Sequence, residues 1–134
     1  MIQETLARWL KTPILGQLAF AGLKALGLEF PRSVQVQPGL VLAHGAVGLV
    51  VHERTRIGRD VRLYQGVTIG RSDVYRPDVA GEGCVMIGDG VIIGANAIVL
   101  FRSGAVLRVG DRAVIGAGAI VTENVPAGEI WAAG

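Results

Sequence analysis

The hydrophobic pattern from Val34 onward repeats every six residues. The aliphatic residues that set this repeat are Ile57, Leu63, Ile69, Ile87, Ile93, Val99, Val109, Ile115 and Val121. Glycine directly follows most of them, and a small residue such as alanine or valine usually stands four places on. Such a hexad is typical of a β-helix, in which it forms one short strand and one corner, and three hexads close a triangular coil. We therefore predict an all-β fold, a left-handed parallel β-helix of hexapeptide repeats, over residues 29–134.

Residues 1–28 follow a helical spacing instead and are predicted to form a short N-terminal helical segment. Its apolar positions are Leu6, Trp9, Leu10, Leu15, Leu18, Leu23 and Leu26. Thr12 is a plausible N-cap with Pro13 at the first position of a second helix, and Gly27 is a natural helix end. We expect the two helices to pack on one end of the β-helix, and an interfacial membrane anchor is the alternative.

Two stretches break the period of six. Residues 71–84 are polar and rich in proline and glycine, so this segment should protrude as a loop. A shorter bulge runs from Phe101 to about Val106. Loops on a rigid scaffold often carry function, although the shorter one is equally well a tolerated insertion.

Composition and charge limit the function classes. The 134 residues suffice for one domain, and a net charge of +2 without a Lys/Arg run argues against nucleic-acid binding. Four arginines, at positions 54, 56, 59 and 62, form either a solvated face or a patch for an anionic phosphate. The one cysteine, Cys84, excludes an internal disulfide and a cysteine-based zinc site.

Targeting signals are not apparent in the sequence. Glu4 and Arg8 fall within the amphipathic pattern, so the N-terminus does not read as a signal peptide. The apolar stretch of residues 14–28 is interrupted by Gln17 and Lys24 and is too short to span a bilayer. We therefore expect a cytoplasmic protein without a membrane span, which agrees with the single cysteine.

The segment LAHGAVGLVVHERTRIGRDVRLYQGVTIG resembles the core of the serine acetyltransferase-like branch of the hexapeptide-repeat acyltransferases. The later segments VMIGDGVIIGANAIVL and VGDRAVIGAGAIVTENVPAG resemble the final coils of that family. The resemblance covers the chain from about Gly27 onward. It implies a homotrimer that transfers an acetyl group from acetyl-CoA, its co-substrate, to a hydroxyl of a small acceptor.

The resemblance assigns the chemistry to His44, which falls on the histidine that removes the proton from the acceptor hydroxyl. Glu29 stands fifteen residues earlier, where the family usually has the aspartate that orients this histidine. A base with a pKa near neutrality suits an alcohol, which is a poor nucleophile, and a carboxylate can fix the imidazole tautomer. Glu29 is longer than aspartate, so a cap or a solvated side chain is the alternative.

The resemblance also implies where the cofactor binds, in a groove between neighbouring β-helices. Gly70, Asp89 and Ala117 would contact the pantetheine arm through backbone groups, and Gln65 matches a family glutamine that faces the groove. Small residues at these positions also suit a plain β-helix corner. Arg76 in the predicted loop would hold an acceptor carboxylate or phosphate.

Several positions depart from the family pattern. Ala43 replaces the acid that precedes the catalytic histidine, and the loop reads Tyr75-Arg76-Pro77 without a second histidine. The sequence ends at Ala133-Gly134, before the usual Pro-Ala-Arg tail, so either the cofactor end is more open or the sequence is truncated. These departures leave the acceptor open between serine and a saccharide.

Two other functions compete with O-acetyl transfer. Zinc-dependent hydration on this fold needs three histidine ligands, whereas the chain has only His44 and His52, so no metal is expected. A non-catalytic trimeric scaffold or binding platform is the remaining alternative, and it is favoured by the same departures that leave the acceptor open.

Overall fold

A computed structural model describes residues 2–79 and 82–133 of the protein. Two helices come first, α1 over Ile2–Trp9 and α2 over Pro13–Ala25. Short strands then follow to the end of the chain: β1 Gln35–Val36, β2 Val41–Leu42, β3 Val50–Val51, β4 Thr55–Ile57, β5 Arg62–Leu63, β6 Thr68–Arg71, β7 Cys84–Ile87, β8 Ile92–Ile93, β9 Ile98–Phe101, β10 Val106–Val109, β11 Val114–Ile115, β12 Ile120–Val121 and β13 Ile130–Trp131.

The strands form three parallel sheets, which are the three faces of a triangular solenoid. The first face contains β1, β4, β7 and β10, the second contains β2, β5, β8, β11 and β13, and the third contains β3, β6, β9 and β12. Each strand pairs with the strand one coil away, so the coils satisfy one another's backbone hydrogen bonds. The predicted left-handed parallel β-helix of hexapeptide repeats is thereby confirmed.

The aliphatic residues of the hexads line the interior of the solenoid. In the second face Leu63 is in register with Ile93, which in turn is in register with Ile115, and all three are fully buried. The residue before each of them points outward, as the alternation of a strand requires. The period of six therefore produces stacked columns of aliphatic side chains.

The helices pack against the first coil, as the apolar spacing predicts. Leu10 and Leu23 are buried in the same core cluster as Phe30 of the first coil. Thr12 stands at the N-cap position of α2, but its hydroxyl donates to the carbonyl of Trp9 at 2.8 Å and does not cap the helix. Within the described residues no helix has the length and apolar character needed to cross a bilayer.

Both interruptions of the repeat leave the solenoid at the corner between the third and first faces, which we call the loop corner. The longer one lies between β6, which ends at Arg71, and β7, which begins at Cys84. Positions 80 and 81 of this predicted loop lie outside the described residues. The shorter one lies between Phe101 of β9 and Val106 of β10. The two loops therefore emerge one above the other.

Candidate active site

His44 lies on a tight turn, Ala43–Ala46, at the corner between the second and third faces. We call this edge of the solenoid the His44 corner. His44 has φ 53° and ψ 31°, and Gly45 and Ala46 also have positive φ values of 70° and 50°. A non-glycine residue in this region costs about 1 to 3 kcal/mol and persists only where the surroundings fix it. The turn leaves the His44 side chain exposed to solvent, away from the solenoid interior.

The surroundings of His44 leave its imidazole available. Among the side chains that the structure describes, none hydrogen-bonds to either ring nitrogen. The ring of Tyr64, one coil away, is the aromatic neighbour, with centroids 5.9 Å apart and planes tilted by 55°. Next to it, Gln65 has a buried amide oxygen without a hydrogen-bond donor in the described chain. A ligand that brings an N–H group would satisfy this oxygen.

Glu29 lies beside the third face, but its carboxylate is engaged elsewhere. Its backbone pairs with the segment after the His44 turn. The N–H of Glu29 donates to the carbonyl of Leu49 at 2.8 Å, and the carbonyl of Glu29 accepts the N–H of Val51 at 2.9 Å. Its carboxylate lies 3.6 Å from Nζ of Lys24 on α2. The structure therefore shows no Glu29–His44 pair within the single chain, and the orienting role of Glu29 stays a prediction.

The predicted cofactor residues lie on different parts of one chain. Ala117 lies at the His44 corner, two coils below Gln65. Gly70 lies in β6 of the third face, toward the loop corner, one residue before the strand ends at Arg71. Asp89 lies at the corner between the first and second faces. There its carboxylate accepts the N–H of Arg59 at 2.7 Å, and its own N–H donates to Asp111 at 2.8 Å. Asp89 and His44 therefore lie at different corners of the same chain.

Arg76 is exposed on the long loop, and its guanidinium lies 3.4 Å from the carboxylate of Asp78. An exposed pair of this kind contributes little to stability, about 0 to 1 kcal/mol, so Arg76 can exchange this partner for another anion. The loop corner that carries Arg76 is a different edge of the solenoid from the His44 corner.

A cluster at the root of the long loop was not anticipated from the sequence. The buried carboxylate of Asp73 accepts hydrogen bonds from the hydroxyl and backbone N–H of Ser103, at 2.9 and 3.1 Å, and lies 3.6 Å from Arg71. Burial opposes ionisation of Asp73, but the Ser103 bonds and the Arg71 charge together hold its pKa below the ordinary value. Since Ser103 belongs to the short interruption, this cluster joins the two loops.

His52 stands at the same loop corner, where its ring contacts the backbone and another aromatic ring. Its Nδ1 accepts the N–H of Arg54 at 3.0 Å, and its ring meets Phe101 edge-on at 4.9 Å. Burial, together with the charges of Arg71 and Arg54, lowers the pKa of His52, although Glu53 opposes this shift. Within residues 2–79 and 82–133, no three His, Cys, Asp or Glu side chains gather in a way that could hold a metal ion.

The outward positions of the three faces differ in character. The third face presents Val50, Ile98, Leu100 and Ile120, and the second face presents Val41, Ile92, Val114 and Ile130 beside Arg62. The first face instead presents Gln35, Arg56, Met86 and Arg108 together with Val106. The two mainly apolar faces meet at the His44 corner. The fold and this corner define a hexapeptide-repeat β-helix with an accessible histidine between two apolar surfaces.

Serine acetyltransferases are among the known proteins with similar sequences and structures, and no protein-family model matches the chain. The serine acetyltransferase of Helicobacter pylori (strain ATCC 700392 / 26695) is 38% identical over 88 residues, covering 55% of this chain and 51% of that protein. The structure of Neisseria gonorrhoeae serine acetyltransferase in complex with serine matches with a TM-score of 0.74 and 29% identity, over 96% of this chain and 52% of that one.

A third match is the serine acetyltransferase of Brucella abortus strain S19 in complex with coenzyme A. It has a TM-score of 0.71 and 26% identity, over 98% of this chain and 51% of that one. The chain thus spans about half the length of these three relatives. Together the matches confirm the resemblance to the serine acetyltransferase-like branch of hexapeptide-repeat proteins.

Proposed function

We propose that the chain is an acetyl-CoA-dependent O-acetyltransferase, with His44 as the general base and a small hydroxyl compound as the acceptor. The observation that carries this proposal is the position of His44. Its imidazole is exposed, unbonded among the described residues and fixed on a left-handed turn at the meeting of two apolar surfaces. The names of the relatives point to the same activity.

In this reaction an imidazole nitrogen of His44 accepts the proton of the acceptor hydroxyl while the hydroxyl oxygen attacks the thioester carbonyl carbon. The new C–O bond replaces the C–S bond, and His44 returns the proton to the departing sulfur of CoA. No oxidant or metal enters this balance. Backbone N–H groups near the thioester would stabilise the charge that develops on the carbonyl oxygen.

The proposed cofactor groove has walls from two subunits. We assign Ala117, which lies at the His44 corner, and Gly70 of the third face to the chain that carries His44. We assign Asp89, which lies at another corner, to the neighbour. The buried amide oxygen of Gln65 faces no protein donor, and an amide N–H of the pantetheine arm has the chemistry to satisfy it. The relative solved with coenzyme A supports this cofactor.

We propose a homotrimer because two faces of the solenoid carry exposed aliphatic side chains. Ile120 on the third face is 66% exposed and Ile130 on the second face is 74% exposed. A contiguous apolar surface of this kind marks an interaction site in a soluble protein. Packing these faces against neighbouring subunits would bury them and close a groove over the His44 corner. The free Cys84 agrees with a cytoplasmic location.

Serine is the acceptor that the relatives favour, and Arg76 has the chemistry to hold its carboxylate. A saccharide is the alternative acceptor. The deciding experiment measures thiol release from acetyl-CoA with serine, simple sugars and nucleotide sugars. Acceptor-dependent release supports the proposal and identifies the acceptor class.

A non-catalytic scaffold is the competing function, and thermal unfolding separates it from the enzyme. When acetyl-CoA exceeds its Kd a hundredfold, its binding raises the free energy of unfolding of an enzyme by about 2.7 kcal/mol. The unfolding temperature rises as a result. Desulfo-CoA serves as a second probe, because it retains the nucleotide and the arm without the reactive sulfur. No shift with either compound, and no thiol release, would rule out the enzyme and favour the scaffold.

A further inference from the structure

Helix α1 reaches the turn that carries His44. The carboxylate oxygen Oε1 of Glu4 accepts the backbone N–H of Leu42 at 2.9 Å. Leu42 is fully buried and stands two residues before His44. Next to this contact, the amide of Gln3 packs against Gly45, where an added Cβ would lie 2.7 Å from Nε2. Two neighbouring side chains of α1 thus contact the turn and the strand that leads into it.

The Glu4 bond compensates for the position of β2 at the end of a sheet. The second face runs in the order β13, β11, β8, β5 and β2, so β2 has a neighbouring strand on one side only. On that side the N–H of Val41 donates to the carbonyl of Val61 at 2.9 Å. The N–H of Leu42 points the other way, where a preceding coil would supply a carbonyl, and Glu4 supplies the acceptor instead. A buried N–H without an acceptor would cost about 1 to 3 kcal/mol.

The His44 turn needs such support more than the other corners do. Three successive residues, His44, Gly45 and Ala46, have positive φ, and only one of them is glycine. Strained backbone of this kind keeps its conformation only when its flanks are held. The C-terminal flank is held by the third face, since Val50 donates to Val67 at 2.9 Å. The N-terminal flank ends at the Glu4 contact.

We propose that Glu4 is a positioning residue for the His44 turn, so that α1 serves the reaction as well as covering the end of the solenoid. This inference rests on the proposed role of His44. Without the Glu4 bond, the edge of β2 is free to exchange its hydrogen bond with water, and the imidazole loses its fixed distance to the acceptor hydroxyl. A misplacement of about 1 Å at a reacting group costs on the order of a hundredfold in rate.

The test compares three substitutions of Glu4 in the full chain. Glu4→Gln keeps an acceptor oxygen at the same reach and should retain more than about half of kcat. Glu4→Ala removes the acceptor, and we expect kcat to fall about tenfold or more with the KM for acetyl-CoA changed less than about twofold. Glu4→Asp keeps the charge but shortens the reach, and serves as the deciding variant if Glu4→Ala does not fold. Glu123→Ala, an exposed glutamate at the other end, is the matched control.

Hydrogen exchange at the Leu42 amide gives a readout independent of activity. The amide should lose protection in Glu4→Ala and Glu4→Asp but keep it in Glu4→Gln. A wild-type kcat in a folded Ala or Asp variant, or unchanged Leu42 protection, would overturn the inference. Failure of the proposed function looks different, since a chain without acyl transfer shows no thiol release in any variant while the exchange result still reports the Glu4 contact.

Discussion

At the scale of single residues, the corners of this solenoid are set by residues in the left-handed region. Asn96 at the His44 corner and Asp60 and Arg112 at the corner of Asp89 have φ between 55° and 60°. Aspartate and asparagine tolerate this region better than other non-glycine residues, because their short side chains bond locally. Arg112 lacks that compensation. Left-handed residues therefore occur at other corners too, but at the His44 corner the left-handed residue also carries an exposed imidazole.

Replacing Arg112 with glycine should stabilise the protein. The left-handed conformation costs a residue with a Cβ about 1 to 2 kcal/mol, and glycine loses about 0.5 to 1 kcal/mol of that gain through its more flexible unfolded chain. We expect Arg112→Gly to raise the free energy of unfolding by about 0.5 kcal/mol in a urea titration. Arg56→Gly, in the middle of β4, is the control and should destabilise. A lower stability for Arg112→Gly would show that the contacts of the Arg112 side chain contribute more than the relief of its left-handed backbone.

The resemblance predicts roles for His44 and Gln65, but it does not give their immediate neighbours. The structure places both residues at the His44 corner, since Leu42 is in register with Leu63. The engagement of Glu29 with Lys24 depends on where α2 docks, which the sequence does not encode in a local pattern. Glu4 was equally hidden, because its contact spans 38 residues and joins a helix to a strand edge. Contacts of this kind, between long polar side chains and distant elements, cannot be predicted from a local sequence pattern.

At the scale of elements, the two interruptions of the repeat act as one structure. Asp73 of the long loop and Ser103 of the short one are joined by hydrogen bonds, and Arg71 at the end of β6 adds its charge. The short interruption thus anchors the long one. The period of six predicts that both stretches leave the solenoid, but it carries no information on their contact.

The Asp73 cluster should make stability depend on pH. The pKa of Asp73 is lowered in the folded chain, so its stabilising effect is present above the ordinary value of 3.8 and is lost as the pH falls through the folded pKa. We expect the unfolding temperature to fall more steeply for the wild type than for Asp73→Asn between about pH 6 and pH 3. Other carboxylates contribute equally to both proteins and cancel. Parallel curves would show that the cluster does not stabilise the fold through the charge of Asp73.

At the scale of the whole molecule, the solenoid is asymmetric across its faces. The inward positions repeat every six residues, so the hexad determines which residues point inward. For this reason the architecture can be predicted from the sequence. The outward positions are variable in the hexad. Their sorting into two mainly apolar faces and one more polar face appears only once the coils are stacked. The proposed subunit contacts follow from that sorting and from the position of His44 at the meeting of the apolar faces.

A charge on the apolar third face should disrupt assembly. Ile120→Lys places an ammonium where the proposed interface excludes water, so we expect a shift from trimer toward monomer and a loss of thiol release. Val106→Lys is the matched control on the first face, where the wild-type side chain is 41% exposed. Light scattering after size exclusion gives the mass of each variant. A trimer that survives Ile120→Lys would place the subunit contact elsewhere.

The most direct test of the central claim compares the two histidines of the chain. His44→Ala removes the proposed base, while His52→Ala removes an imidazole that is bound to backbone and packed on Phe101. With the same acceptor and saturating acetyl-CoA, thiol release should fall at least about a hundredfold in His44→Ala and stay within about threefold of wild type in His52→Ala. Equal rates in wild type and a correctly folded His44→Ala protein would contradict the account.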